Sequence, residues 1–279
     1  MYNVVGVGKG VKNLIESFSQ YKEYKTFYID EEILGNFHSM VEYENNFPVT
    51  AVKKELKGIN KKSEVLYVIE GGENISGASL RILEILKKAS VKILYIIPDR
   101  NILNEQEREN ENLTFRALQD IVRSGDLDQI ILIDLEKVET FLGDIPLENY
   151  DQVLAHNIVN TFAMLNYFDH IDPIKTTKKK LPIAVRISTF GLLSSEDEEF
   201  MFYDLKQTKD KEYCYGVTEK EMKKSSLLRE VRKKTKSATK DVRCYYSLYS
   251  IESEESQKYI RAYTDICQAR NEKIDSSVA

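Results

Sequence analysis

Two glycine-rich turns carry the residue types best suited to chemistry in this chain. The first runs Gly6-Val7-Gly8-Lys9-Gly10-Val11-Lys12-Asn13, and the second Gly71-Gly72-Glu73-Asn74-Ile75-Ser76-Gly77-Ala78-Ser79. Each follows an apolar run of strand type and leads into a helical pattern. Glycine lets backbone N–H groups approach a phosphate with no Cβ in the way, and a helix N-terminus adds a favourable dipole. Two such units can hold the phosphates of a nucleotide between them. Lys9 and Lys12 supply positive charge, although the same turn also reads as a tight strand–helix connection with solvated lysines. The second turn is less open. Ile75 is β-branched, and Glu73 is negative where an anion should bind. Like charges about 4 Å apart repel by about 4 kcal/mol at an effective dielectric of about 20. Glu73 therefore opposes phosphate unless Mg²⁺ or Lys9 compensates, or its side chain turns outward.

The elements that must position these turns alternate along the first 170 residues. Strands are expected at 4–7, 26–29, 65–69, 91–97 and 130–133, and helices at 11–19, 80–86 and 113–122. The strands at 65–69 and 91–97 are continuous β-branched runs, as in strands buried on both faces. The pattern predicts an α/β fold with a Rossmann-like, mostly parallel sheet, right-handed crossovers and ligands at the C-terminal strand ends. A long helix is expected over 148–168, with Val153, Leu154, Ile158, Phe162, Leu165 and Phe168 in one apolar stripe. It ends at Asp169-His170-Ile171-Asp172-Pro173.

Beyond it the composition shifts towards a smaller α+β domain. A solvated basic loop at 175–180 precedes strands at 183–188 and 200–205, which flank an acidic turn at 194–199. A charged helix at 219–240, a tyrosine-rich strand at 244–249 and a closing helix at 254–269 follow. The division expected is 1–147 for the ligand-binding domain, 148–172 for the central helix and its loop, and 173–279 for the C-terminal domain.

Composition narrows the function classes. A net charge of -5 over 279 residues does not advertise nucleic-acid binding. The segment 219–240 holds nine Lys/Arg against three Glu, which leaves an anionic partner open although a solvated face explains it. Three widely spaced cysteines favour a reducing compartment and argue against a zinc or disulfide framework. No stretch approaches the roughly 20 apolar residues of a membrane span, and the N-terminus has no signal-peptide pattern. A cytoplasmic protein is expected. Asp30 lies 20 residues beyond Gly10, as in dinucleotide-binding units, but Val11 occupies the place of the third fingerprint glycine. An NAD-type Rossmann enzyme therefore ranks behind a nucleoside triphosphate site.

With both turns, this order of elements resembles the tubulin/FtsZ superfamily. Gly6, Gly8, Gly10 and Asn13 match its first phosphate loop. Gly71, Gly72, Ser76, Gly77 and Ala78 match its signature loop, where Glu73, Asn74 and Ile75 replace Gly, Thr and Gly. Pro98 matches a proline ahead of the ribose-contacting loop, which here holds Glu105 and Arg108 at altered spacing. Asp134 stands after the strand that leads to a base-contacting residue. Asn149, Tyr150 and Asp151 begin the long helix where the family stacks and reads guanine. The resemblance covers most of residues 1–172 and is weaker beyond.

The resemblance implies a GTP/GDP site formed by Gly6, Gly8, Lys9, Gly10, Asn13, Gly71, Gly72, Asn74, Ser76, Gly77, Arg108, Asp134, Asn149, Tyr150 and Asp151, with Mg²⁺ optional and no metal site of its own. It implies head-to-tail self-assembly in which the loop after the central helix supplies catalytic acids to the next copy. Asp172 matches one acid, 173–177 offers no second, and Asp169 is a candidate substitute, although Asp169, His170 and Asp172 read better as the simple end of a helix. The expectation is a GTP-binding, filament-forming protein with weak or absent hydrolysis. The alternative is a non-catalytic assembly protein with a degenerate site, with other structural proteins as partners. Small size and divergence suggest a phage or plasmid relative, acting in the host cytoplasm if phage-encoded.

Overall fold

The computed structural model of the chain describes residues 2–194, 198–224, 226–236 and 241–269. The first half is β1 (Tyr2–Val7), α1 (Lys12–Phe18), β2 (Tyr24–Ile29), α2 (Glu31–Leu34), α3 (Met40–Asn45), α4 (Val49–Glu55), β3 (Glu64–Glu70), α5 (Ser79–Leu86), β4 (Ser90–Ile97), α6 (Glu105–Ser124), β5 (Gln129–Asp134) and α7 (Leu135–Leu142). The long helix α8 (Tyr150–Asp169) follows a 3-10 turn at Leu147–Asn149. Then come β6 (Lys175–Thr176), β7 (Ile187–Leu193), β8 (Glu199–Met201), β9 (Asp210–Val217), α9 (Glu219–Met222), α10 (Leu227–Lys236), β10 (Arg243–Ser250) and β11 (Gln257–Thr264).

The described strands form one sheet in the order β2-β1-β3-β4-β5-β7-β11-β9-β10-β6, with β8 added against β7. From β2 to β7 every pairing is parallel. Strand residues alternate between the faces, so both sides of this half are apolar. Val5, Val7, Tyr67, Ile69 and Tyr95 pack with α5 and α6, while Val4, Leu66, Val68 and Leu94 pack with α1 and α8. The continuous apolar runs in the sequence are the consequence. Helix α8 lies beneath both halves of the sheet. Phe162 meets Phe18 edge-on, and Phe168 stacks on Tyr249 at 4.3 Å.

The second half departs from expectation in several places. The strand expected at 183–188 is β7 from Ile187; Ile183 is 78% exposed, and the Arg186 side chain turns back onto the carbonyls of Ile183 and Leu127. The strand expected at 200–205 shortens to β8. The closing helix expected at 254–269 is instead β11, inserted antiparallel between β7 and β9. Its Tyr-Ile-Arg-Ala-Tyr-Thr run alternates: Tyr259 packs on the α8 side, and Ile260 joins the opposite cluster under α10. β9 went unread in the sequence. The charged helix expected at 219–240 divides into α9 and α10, with 225 and 237–240 outside the described residues. Within the acidic turn at 194–199, residues 195–197 are also outside them. The basic loop at 175–180 is exposed throughout as expected, but Lys175 and Thr176 pair with β10 and Lys178 reaches Glu212 at 2.9 Å.

Candidate functional site

The two glycine turns leave the C-terminal ends of adjacent parallel strands, β1 and β3, and so lie side by side. Gly8 takes φ +90°, a conformation that glycine adopts without Cβ strain, and its N–H donates to the Ile29 carbonyl at 3.1 Å. This bend aims the next two amides into the cleft. They meet a carboxylate of the chain itself: Lys9 N–H donates to Glu73 Oε2 at 3.1 Å, and Gly10 N–H to Glu73 Oε1 at 2.9 Å. Successive amides of this kind form an anion-binding nest, and here Glu73 fills it.

The glycines make room for acids. A Cβ on Gly8 would collide with Glu73 Oε2, and one on Gly10 with Glu70 Oε2. Gly6 serves packing, since a Cβ there would collide with Ile15 of α1. Glu70 closes β3, and burial, with the charges of Glu73 and Asp151 added, pushes its carboxyl up to about 8. Burial also raises Glu73, opposed by the amides of Gly10 and Lys9, which favour its ionised form. Lys9, expected to neutralise phosphate, places Nζ 3.1 Å from Glu31. Asn13 is half-buried near the start of α1, and Lys12 is exposed.

The second turn is a 3-10 segment, Asn74–Ala78, sealed from both sides. Ile75 is 5% exposed and belongs to the core. Asn74 donates to the His38 carbonyl at 3.0 Å and accepts from Asn110 at 2.8 Å, so its amide is engaged within the fold. Asn110 also donates to the Gly72 carbonyl. Ser76 is buried, and its Oγ donates to the Glu73 carbonyl at 2.6 Å and lies 3.0 Å from Thr114. Gly77 lies against the backbone of Met40 at the start of α3, where a Cβ would collide. Gly71 is similarly close to the Tyr95 hydroxyl. The final glycine thus admits α3 rather than leaving the turn open.

Of the residues expected around ribose and base, Asp134 caps α7 by accepting from Glu136 N–H at 3.1 Å, and Arg108 donates to the Arg100 carbonyl at 3.2 Å. Asn149 precedes α8 and Tyr150 and Asp151 begin it, at the C-terminal end of the parallel strands. Burial, then a hydrogen bond with Glu139, pushes Tyr150 up to about 12. Asp151 is exposed and near enough to Glu70 to act on its charge. Asp30, weighed for a dinucleotide ribose, caps α2 through Glu32 N–H at 3.0 Å.

Asp169 and Asp172 lie at the other end of α8, about 30 Å away for 20 residues, and do not approach this chain's own glycine turns. Asp169 makes a two-point pair with Arg261, at 2.7 and 2.9 Å. Burial would raise its carboxyl, but Arg261 overrides this and holds it at about 2. Asp172 is exposed. His170 caps the helix through Nδ1, 2.7 Å from the Asn166 carbonyl, with Nε2 3.4 Å from Glu64. A cavity of about 470 Å³ opens at this end, with Lys92, Phe162 and Arg261 in its lining. No group of three or more His, Cys, Asp or Glu side chains among the described residues is placed to hold a metal. No described helix is long and apolar enough to cross a membrane.

Sequence reasoning missed Glu70, Asn110 and Arg261. Glu70 had a signal, an acid ending a buried strand directly before Gly71. Asn110 and Arg261 act across long stretches of chain and had none.

Comparison of the sequence with protein-family models and with curated proteins finds no match. Comparison of the fold with solved structures finds many. An FtsZ dimer from M. jannaschii superposes with a TM-score of 0.65 at 13% identity, over 95% of this chain and 88% of that one. A GTPγS-form TubZ protofilament from Bacillus thuringiensis serovar israelensis gives 0.70 at 13% identity, over 96% and 88%. CetZ2 from Haloferax volcanii, in a GTPγS-bound protofilament, gives 0.66 at 12% identity, over 94% and 92%. The superpositions span nearly the whole chain, including the strands of the second half, and the chain therefore has the fold of the tubulin/FtsZ superfamily.

Proposed function

We propose that this chain is a non-catalytic, tubulin-like assembly protein that joins head to tail and whose phosphate cleft is closed by its own carboxylate. The observation that carries this is Glu73, bonded through both oxygens to the Lys9 and Gly10 amides. Glu70 beneath Gly10 and Met40 against Gly77 support the same conclusion. Self-assembly is supported by the fold's similarity to FtsZ, CetZ and TubZ, two of them seen as protofilaments. It is further supported by large apolar side chains exposed at both ends of α8. Leu147 precedes the helix and is 91% exposed; Tyr167 and Ile174 are exposed at its far end. A head-to-tail contact joins two such different patches.

The test is assembly of purified protein by light scattering and electron microscopy, with and without GTP, alongside chromatography of any nucleotide released on denaturation. Filaments that form without nucleotide, from protein that releases none, are expected. GTP-dependent filaments with phosphate release would overturn the proposal in favour of the alternative, a GTP-binding filament protein with weak or absent hydrolysis. One observation favours that alternative: the Lys9 and Gly10 amides remain aligned on an anion. The division at 1–147, 148–172 and 173–279 belongs to the same proposal.

A further inference from the structure

The parallel half of the sheet separates charge along its strands. Connections entering at the N-terminal rim carry Lys57, Lys61 and Lys62 before β3, and Lys88 before β4, all exposed and without an ion pair among the described residues. The segment leading to β7 adds exposed Lys179 and Lys180 at the same rim, next to Lys178. Of the acids at this rim, Asp169 is engaged by Arg261 and Glu64 by His170, and exposed Glu23, Asp126, Asp128 and Asp172 are outnumbered by the lysines. The C-terminal rim has the opposite character. Glu32 on α2, with Asp144 and Glu148 before α8, are exposed, and Glu70, Glu73 and Asp151 lie between them. Among the described cations at this rim, Lys9 is held by Glu31, Arg100 by Glu111 and Lys137 by Asp204, while Lys12 is exposed, so acids remain in excess.

We infer that the lysines of the N-terminal rim, Lys179 and Lys180 foremost, are the counter-ions for the acidic C-terminal rim of the next copy, so that fixed carboxylates and lysines make the longitudinal contact without a nucleotide. This rests on the head-to-tail assembly proposed above. The occupant of each rim is a second copy because the two rims of one molecule are complementary in charge and each carries exposed apolar side chains, Ile102 and Leu147 at one and Ile174 and Ile183 at the other. The separation also selects polarity. Acidic rim against acidic rim, or basic against basic, would repel, leaving head-to-tail as the attractive arrangement. Exposed charges are screened over about 10 Å at 0.1 M salt, so the contact weakens as salt rises.

The experiment measures the critical concentration of the full chain, without nucleotide, by sedimentation. Raising NaCl from about 0.05 to about 0.5 M is expected to raise it at least about fivefold. Lys179→Glu with Lys180→Glu is expected to raise it at least about tenfold, and the paired Gln variant by less. Glu32→Lys with Glu148→Lys should fail equally alone, while an equal mixture of the two charge-reversed proteins should co-assemble, because each then meets the opposite sign. Circular dichroism and Tm establish that every variant folds. Unchanged critical concentrations in both reversed proteins, with wild-type filaments intact, overturn the charge contact and leave head-to-tail assembly standing. Failure of the wild type to assemble at any salt removes both.

Discussion

Gly10 and Glu73 meet across the cleft, the Gly10 amide donating to Glu73 Oε1 at 2.9 Å while the neighbouring Lys9 amide takes the other oxygen. The sequence posed Glu73 as an acid that repels phosphate. In the structure it accepts from the two amides that a phosphate bound at this turn would need. A residue that opposes a ligand by charge and also fills the ligand's hydrogen-bond donors is doubly exclusive.

Removing that side chain is therefore predicted to open the nest. Glu73→Gly leaves two amides facing solvent, at a cost of about 1 kcal/mol or roughly 2 °C in Tm for a chain of this size. A fluorescent GTP analogue, titrated with fluorescence anisotropy as readout, should bind the variant at least about tenfold more tightly than the parent. Equal affinity in both proteins would show that Glu73 does not control access.

Glu70 gives a pH dependence with a definite sign. Burial raises its carboxyl to about 8, above the ordinary value of 4.5, so the folded chain keeps a proton that the unfolded chain loses. Its stabilising contribution is complete below about pH 4.5 and is lost as pH rises through about 8. Urea midpoints should accordingly fall between pH 5 and 8 by the equivalent of about 1–3 kcal/mol. Glu70→Gln should flatten this slope and stabilise the protein at pH 8. A parent whose midpoint is level across that range would refute the assignment.

Gly77 separates packing from ligand binding. In an open phosphate loop an alanine there would interfere with ligand and leave folding nearly unchanged. Here its Cβ would strike the Met40 backbone, and backbone cannot rotate away as a side chain can. Gly77→Ala is predicted to lower stability by about 1–3 kcal/mol in the absence of any nucleotide, measured by denaturant titration. A change under about 0.5 kcal/mol would mean that α3 does not seal the turn.

The parallel half was legible because its strands are buried on both faces and leave long β-branched runs, as in residues 91–97, with glycines where strands meet helices. Those same glycines marked the candidate site but not what fills it. Gly8 and Gly10 look alike in sequence whether the space beside them holds a phosphate or the carboxylates of Glu73 and Glu70. The direction of Glu73 is set by tertiary contacts, the Lys9 and Gly10 amides on its carboxylate and Ile75 in the core. In the second half, the apolar spacing of Tyr259, Ile260, Ala262 and Tyr263 fits a helix as well as a strand. Pairing with β7 and β9, far away in sequence, decides between them.

Asp169 and Asp172, two acids in one loop, are predicted to separate cleanly by stability. Asp169 is fixed by the Arg261 guanidinium, which is otherwise largely enclosed and also lies 3.5 Å from Glu212. Asp169→Ala leaves that cation short of its main partner and should cost about 2–4 kcal/mol, somewhat below a fully buried pair because Asp169 keeps some solvent contact. Replacing both, as Asp169→Leu with Arg261→Met, should recover much of the loss, since Glu212 retains Lys178. Asp172 is exposed, and Asp172→Ala should stay within about 0.5 kcal/mol of the parent. The pH sign agrees: with a folded value of about 2 against an ordinary 3.8, Asp169 contributes stability above about pH 4 that disappears as pH falls towards 2. Denaturant curves for the four proteins at neutral pH decide the matter. An Asp169→Ala protein as stable as Asp172→Ala would mean that the Arg261 pair does not tie α8 to β11, and would return Asp169 to candidacy as an acid offered to a neighbouring copy.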